Sequence, residues 1–189
     1  QKTSTTSELW VDSTSQGTGT GTLTLDQELS IGKYSTFGYA VMRFQEIVVW
    51  NTDQDGAGNA SGIEGNQNAH FQIGNFGTPT SGLLFDYPDA AAAYSVRQLA
   101  NTAALSMRVR EDATDTETNI GFDANGDLDT AAIAAHCGTA NGYVVNWFDQ
   151  AGSQNDATQS TLASQPKIYD GTTQAVITEN GKPAVEFDG

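Results

Sequence analysis

Apolar and polar positions alternate with a period of two along much of this chain, the signature of strands with one face turned inward. Glu8–Asp12 reads ELWVD and predicts a short strand. Ser13–Gly21, STSQGTGTG, predicts a flexible polar loop, and Thr22–Leu25 alternates again. Leu29–Asn51 divides into a strand ending at Gly32, a loop through Gly38, and one long strand from Val41 to Trp50. Val41, Arg43, Gln45, Ile47 and Val49 share one face of that strand. Met42, Phe44, Glu46, Val48 and Trp50 share the other. Both faces are mostly apolar, as in a central strand.

A Gly/Asn/Asp loop follows over Asn51–Gly62. Ser61 and Glu64 then have capping-box spacing, which predicts a short helix running to about Phe71. Gly74–Ser81 reads as a linker and Leu83–Asp86 as a short strand. Pro88 and Asp89 would open a helix with Ala92, Val96, Leu99 and Ala100 on one face. Leu105–Arg110 alternates as a strand, and Asn125-Gly126 is a strong turn signal. Asp129 would cap a further helix, with Leu128 and Ile133 at staple positions and Gly138 as its stop. Gly142–Phe148 reads as a buried strand and Lys167–Tyr169 as a locally paired one. Gln174–Thr178 and Pro183–Phe187 form a hairpin about Asn180-Gly181.

Together these elements predict an all-β protein, an antiparallel β-sandwich with two or three short helices. Composition agrees: of 189 residues 16% are charged, below the usual ~25%, and Thr, Ser, Asn, Gln and Gly fill the difference. Lys+Arg number 8 against 23 Asp+Glu, for a formal net charge of −15. Such a surface repels phosphate backbones and anionic membranes, so neither nucleic acid nor membrane is an expected partner. No apolar run approaches the ~18 residues of a spanning helix, and the first residues do not read as a signal peptide. Cys137 is the only cysteine, so no intrachain disulfide forms.

Candidate chemistry is sparse. Asp123, Asn125, Asp127 and Asp129 alternate like a calcium loop, but Leu128 and Ala134 occupy the positions that need Gly and Glu. A turn followed by a helix cap accounts for the same residues, and Asp53-Gln54-Asp55-Gly56 is a similar unsupported fragment. His70 and His136 each fall at a helix end without a ligand-spaced partner, so no metal or other cofactor is expected. Glu46, Asp149, Glu179 and Glu186 lie on or beside strands, and their spacing pairs no two of them for glycoside hydrolysis. Trp10, Trp50 and Trp147 all fall in strands, where core packing is the first expectation.

Two stretches carry a family resemblance. Leu29–Asn51, with its LSIG and FQEIVVWN strands, resembles the C-terminal part of a laminin-G-like or concanavalin A-like domain. Leu83–Gly189 resembles the N-terminal part of a related jelly-roll domain found in phage structural and tail-associated proteins and some secreted bacterial proteins. The residues that carry it are AAYSVRQL (Ala92–Leu99), RVR (Arg108–Arg110), GDLDTAAI (Gly126–Ile133), WFDQAGSQNDATQ (Trp147–Gln159) and NGKPAVEFDG (Asn180–Gly189). The same region is similar to the opening of the catalytic domain of α-L-arabinofuranosidases. That family's catalytic carboxylates would lie beyond the matching part, so no catalytic residue carries over.

The resemblance implies residues 1–77 as the end of one sandwich, 78–82 as a linker, and 83–189 as the start of a second. Three arrangements fit that order: a piece of a tandem protein, a permuted unit, or copies completing each other's sheets. It also implies a non-enzymatic structural module of a virion or extracellular assembly, a capsid decoration, fibre or tail part. Its partners would be other copies of itself or other assembly proteins, and surface glycans. A carbohydrate-binding module and a glycoside hydrolase fragment are the alternatives. A glycan would be held by the loop at Trp147, Asp149, Gln150 and Asn155. The residue types favour a structural use of that loop, with Trp147 as a core anchor and Asp149, Gln150 and Asn155 as a network bracing a tight turn.

Overall fold

The computed structural model describes residues 7–11, 14–19, 33–34, 38–39, 42–50, 52, 54, 58–71 and 82–187. The expected strands at Thr22–Leu25 and Leu29–Gly32 and the linker at Gly74–Ser81 lie outside them. The chain divides into two compact units, Gln1–Lys33 and Tyr34–Gly189.

In the first unit, β1 (Ser7–Val11) pairs antiparallel with β2 (Thr14–Gly19), with a bulge between Leu9 and Trp10. The second strand replaces the expected polar loop. Its residues, TSQGTG, are all polar or glycine, and backbone pairing needs no apolar face. Two-residue strands β3 (Lys33–Tyr34) and β4 (Gly38–Tyr39) follow.

The long strand expected over residues 41–50 is two strands, β5 (Met42–Phe44) and β6 (Glu46–Trp50), broken by a bend at Gln45. The bend is pinned. Gln45 Nε2 donates to the carbonyls of Glu179, Lys182 and Pro183 at 3.0, 3.2 and 3.0 Å, and its own carbonyl accepts from the Val96 N–H. The break moves the chain from one sheet to another and resets its face. Phe44 and Ile47, of opposite parity, pack on the same cluster, while Val48 and Trp50 pack on a second.

Helix α1 (Ala60–Phe71) begins one residue before Ser61, so Ser61 lies inside it and not at the expected cap position. The carbonyl of Asn59 instead accepts from the N–H groups of Gly62 and Ile63. Leu83–Asp86, expected as a strand, is a helical turn, α2, that buries Leu83 completely. The largest departure follows it. Ala90–Ser95, expected inside a helix, is strand β7, paired antiparallel with β6 from Glu46↔Ser95 to Trp50↔Ala90. An alanine run favours helix on intrinsic grounds, but a free strand edge and the burial of Ala93, Ser95 and Val96 outweigh that preference.

Strands β8 (Leu105–Glu111) and β9 (Glu117–Gly121) lead to α3 (Thr130–Cys137). Asp129 Oδ1 accepts from the Ala132 N–H, Leu128 and Ile133 are buried, and Gly138 ends the helix at φ 57°, all as expected. Then come β10 (Gly142–Trp147), β11 (Ala157–Thr158), a 3₁₀ turn over Leu162–Ser164, β12 (Lys167–Asp170), β13 (Ala175–Val176), β14 (Thr178–Glu179), β15 (Lys182–Pro183) and β16 (Val185–Phe187). The hairpin turns at Asn180-Gly181, both at positive φ, but only β14 and β15 pair across it. Strand β12 belongs to the main sheet and is not local, because β10, β13 and β16 all pair with it.

The main sheet runs β5-β16-β12-β10-β8-β9, antiparallel throughout, with β11 on β10 and β13 on β12. The fold is therefore mostly antiparallel β-sheet with a few short helices. The principal core holds Met107, Val109, Val144, Trp147, Ile168, Tyr169 and Val185 of that sheet, with Ile133 and Cys137 of α3. Ile47 and Tyr94 reach it from the β6–β7 pair. Ile63, Leu83, Ala93 and Leu99 form the second cluster. Both β5–β16 and β6–β7 join residues before position 78 to residues after position 82.

Candidate functional site

A strand's outer edge presents N–H and C=O groups that must find partners. One edge of β7 pairs with β6, and the Trp147–Gln159 stretch supplies the other. The Gln150 N–H donates to the Ala93 carbonyl at 2.8 Å, and the Ala93 N–H donates to Asp149 Oδ1 at 2.8 Å. Asn155 Nδ2 donates to the Ala91 carbonyl at 2.9 Å. The Ser95 carbonyl accepts from Ser106 Oγ, Gln150 Nε2 and Trp147 Nε1 at 2.9, 3.2 and 3.4 Å. Beyond the strand, Gln150 Nε2 donates to the Arg97 carbonyl and Gln150 Oε1 accepts from the Leu99 N–H at 2.7 Å. Side chains, with the one main-chain N–H of Gln150, thus do along β7 what a neighbouring strand would do.

The loop is braced internally by the same groups. Asp149 Oδ1 also accepts from the Ala151 N–H, and Asp149 Oδ2 accepts from the Asn155 N–H. Asp156 Oδ1 accepts from the Asp149 N–H at 2.9 Å, and Asp156 Oδ2 from Asn146 Nδ2 at 3.2 Å. Gly152 and Gln154 take positive φ to close the turn. The Tyr94 hydroxyl donates to the Asn155 carbonyl, and burial, followed by Asp149 and Asp156, raises its pKa. Trp147 is buried, with its ring centroid 6.1 Å from that of Tyr94.

The four expected loop residues are therefore brought together, and each has a place in the architecture. Tyr94, Ser106, Phe148 and Asp156 complete the arrangement, and sequence reasoning did not single them out. An acceptor such as Asp156 one residue after Asn155 was the available signal; the rest depends on contacts between separate elements.

The other candidates separate. Glu46 forms a buried ion pair with Arg97, Nε to Oε2 at 2.7 Å, with Ser95 Oγ and Gln67 Nε2 on the same carboxylate and Arg97 over the Phe71 ring. Glu179 and Glu186, unpaired by spacing, converge on Arg43 at 3.5 and 2.8 Å. Asp123 Oδ1 accepts from the N–H groups of Asn125 and Asp127, which makes it a turn brace. His70 Nε2 lies 3.3 Å from Asp127 Oδ1, and Lys182 Nζ lies 3.4 Å from Asp127 Oδ2. Burial, then Arg97 and Lys182, pull the His70 pKa down to about 4. Burial likewise pushes the Cys137 thiol up to about 11. Among the described residues no cluster of His, Cys, Asp or Glu is arranged to hold a metal ion, and no helix is long and apolar enough to cross a membrane.

Two open clefts flank these elements. One, of about 650 Å³, lies between the Asp123–Ala134 region and the β13–β15 segment. The other, of about 490 Å³, lies between residues 102–105 and 148–156. No protein-family model matches the chain, and neither does any curated protein or solved structure.

Proposed function

We propose that this chain is a non-enzymatic structural module of a virion or extracellular assembly, built as a concanavalin A-like jelly roll, with other copies or other assembly proteins as partners. The observation that carries this reading is the use made of Trp147–Gln159. The stretch richest in functional groups commits Asp149, Gln150 and Asn155 to backbone groups of residues 91–99. A loop used that way stiffens a scaffold. The net charge of −15 supports the same reading, because it keeps a protein soluble at high local concentration. The resemblance of Leu83–Gly189 to phage structural domains supplies the virion context.

Light scattering on the full chain across a concentration series, with electron microscopy of the same samples, tests the reading. A defined multimer or a decorated particle is the expected result. A well-folded monomer at every concentration overturns it.

A second reading, contact with surface glycans, is favoured by the 490 Å³ cleft beside the loop, which Phe148, Gln150 and Gln154 help to line. The sugar would be held there and not by the network on β7.

A further inference from the structure

We infer that the cleft between residues 102–105 and 148–156 is a subsite for an uncharged saccharide, with Phe148 as its stacking ring and Asp156 as its hydroxyl acceptor. This rests on the glycan-contact reading above and deepens it.

The cleft, about 490 Å³, has the volume of a small-ligand site and holds about one or two sugar rings. Its lining combines apolar and polar surface in the way a sugar does. Leu105 and the half-buried Phe148 supply the apolar part, and Thr102, Gln154 and Asp156 the polar part. An aromatic ring suits the C–H face of a pyranose. Phe148 is held from elsewhere: the Arg108 guanidinium sits 6.0 Å from its centroid, and Arg108 Nε donates to Asn119 Oδ1 at 2.9 Å. The ring is therefore positioned before any ligand arrives.

Hydrogen-bonding capacity decides which polar side chains remain available. A carboxylate offers about four acceptor positions. Asp149 accepts three bonds, all from the loop and β7. Gln150 has its amide committed on both sides. Asp156 is exposed and, among the described residues, accepts one bond on each oxygen, so it retains acceptor positions for sugar hydroxyls. Two carboxylates in the wall, on a chain of net charge −15, oppose a uronate or sialic acid. A ligand with many hydroxyl donors and no charge fits.

The test is an amide NMR titration of the full chain with cellobiose, maltose, lactose and, separately, glucuronate. At least one neutral disaccharide should shift the Phe148, Gly152 and Gln154 amides saturably, and glucuronate should not. Phe148→Leu should weaken that binding about tenfold, a loss of one stacked ring. Gln154→Gly, which suits the positive φ at that position, should weaken it with the fold intact. The inference is overturned if no disaccharide shifts these amides at tens of millimolar, if the shifts map elsewhere, or if both variants bind as the parent does. Light scattering on the same samples reads assembly independently. A multimer with a silent cleft removes the saccharide site alone, and a monomer with a saturable cleft removes the assembly alone.

Discussion

Gln150 ties down the end of β7 and the segment after it, and replacing it isolates that contribution. Its side chain is buried and makes three hydrogen bonds to the backbone, at Ser95, Arg97 and Leu99. Gln150→Ala leaves the fully buried Leu99 N–H without its acceptor, at about 1–3 kcal/mol. The Arg97 carbonyl loses a donor, while Ser95 keeps Ser106 and Trp147. With the space vacated by the side chain, the sum is about 3–4 kcal/mol. For a chain of this length that lowers the melting temperature by about 10 °C. Gln150→Met separates packing from hydrogen bonding, because it keeps the volume and loses all three bonds. Urea unfolding followed by tryptophan fluorescence measures both variants against the parent. Gln150→Met should lose at least about 2 kcal/mol. A loss below about 0.5 kcal/mol, the size of a neutral surface change, would refute the claim that these bonds hold the segment from Ser95 to Leu99 in place.

Three further outcomes follow from the buried groups. Glu46→Gln leaves the Arg97 guanidinium buried without its counter-charge and should cost about 3–5 kcal/mol in the same unfolding assay. His70 has a folded pKa of about 4 against an ordinary 6.5, so the unfolded chain binds more protons between those values. Stability is then fully present above the ordinary pKa and is lost as pH falls toward the folded one, by about 2 kcal/mol after allowance for solvent screening. His70→Gln should flatten that window in urea midpoints measured at neutral pH and near pH ~4.5. Gly171→Ala would place a Cβ 2.4 Å from the Thr139 carbonyl oxygen and 2.5 Å from the Ala140 carbonyl carbon, and backbone cannot swing aside. A loss of about 1–3 kcal/mol is expected by calorimetry.

The sequence was legible where a signal is local. Asp129, Leu128, Ile133 and Gly138 mark both ends of α3 within ten residues, and the structure uses each as its chemistry suggests. Leu105–Arg110 and Gly142–Phe148 read as strands and form β8 and β10, and Asn180-Gly181 takes the positive φ values that its turn type needs. Reading failed where the deciding partner is distant. Nothing in Val41–Trp50 shows the bend at Gln45, because its cause is three carbonyls more than 130 residues away. Ala90–Ser95 reads as helix because alanine favours helix in isolation. It is a strand because β6 takes one edge and the Asp149–Asn155 loop takes the other. The loop residues were legible as a network, but their target was hidden by the misread strand. Phe148 was passed over because it read as the last residue of a buried strand, and nothing local separates a cleft-lining ring from a core one.

The sealing of β7 also bears on how copies of this chain could meet. An unsealed edge is a template for another strand, and the usual defences are charge, a bulge or a cover. Here the cover is side chains together with the main-chain N–H of Gln150. Asp149 meets a donor, and Gln150 and Asn155 meet carbonyls, so the edge is satisfied without extending the sheet. A side-chain cover leaves no further ladder behind it, and growth of the β6–β7 sheet past β7 would first have to displace Gln150 and Asp149. At one end of the main sheet, β9 pairs with β8 alone among the described strands and carries Glu117 and Asn119 exposed. Glu117 lies 3.9 Å from Arg108, a charged pair that a flat incoming strand would have to desolvate. Strand addition at β7 or β9 is thus opposed by the chain's own chemistry. In an assembly of this module, contacts through loops and sheet faces meet less resistance than edge-to-edge pairing at those two strands.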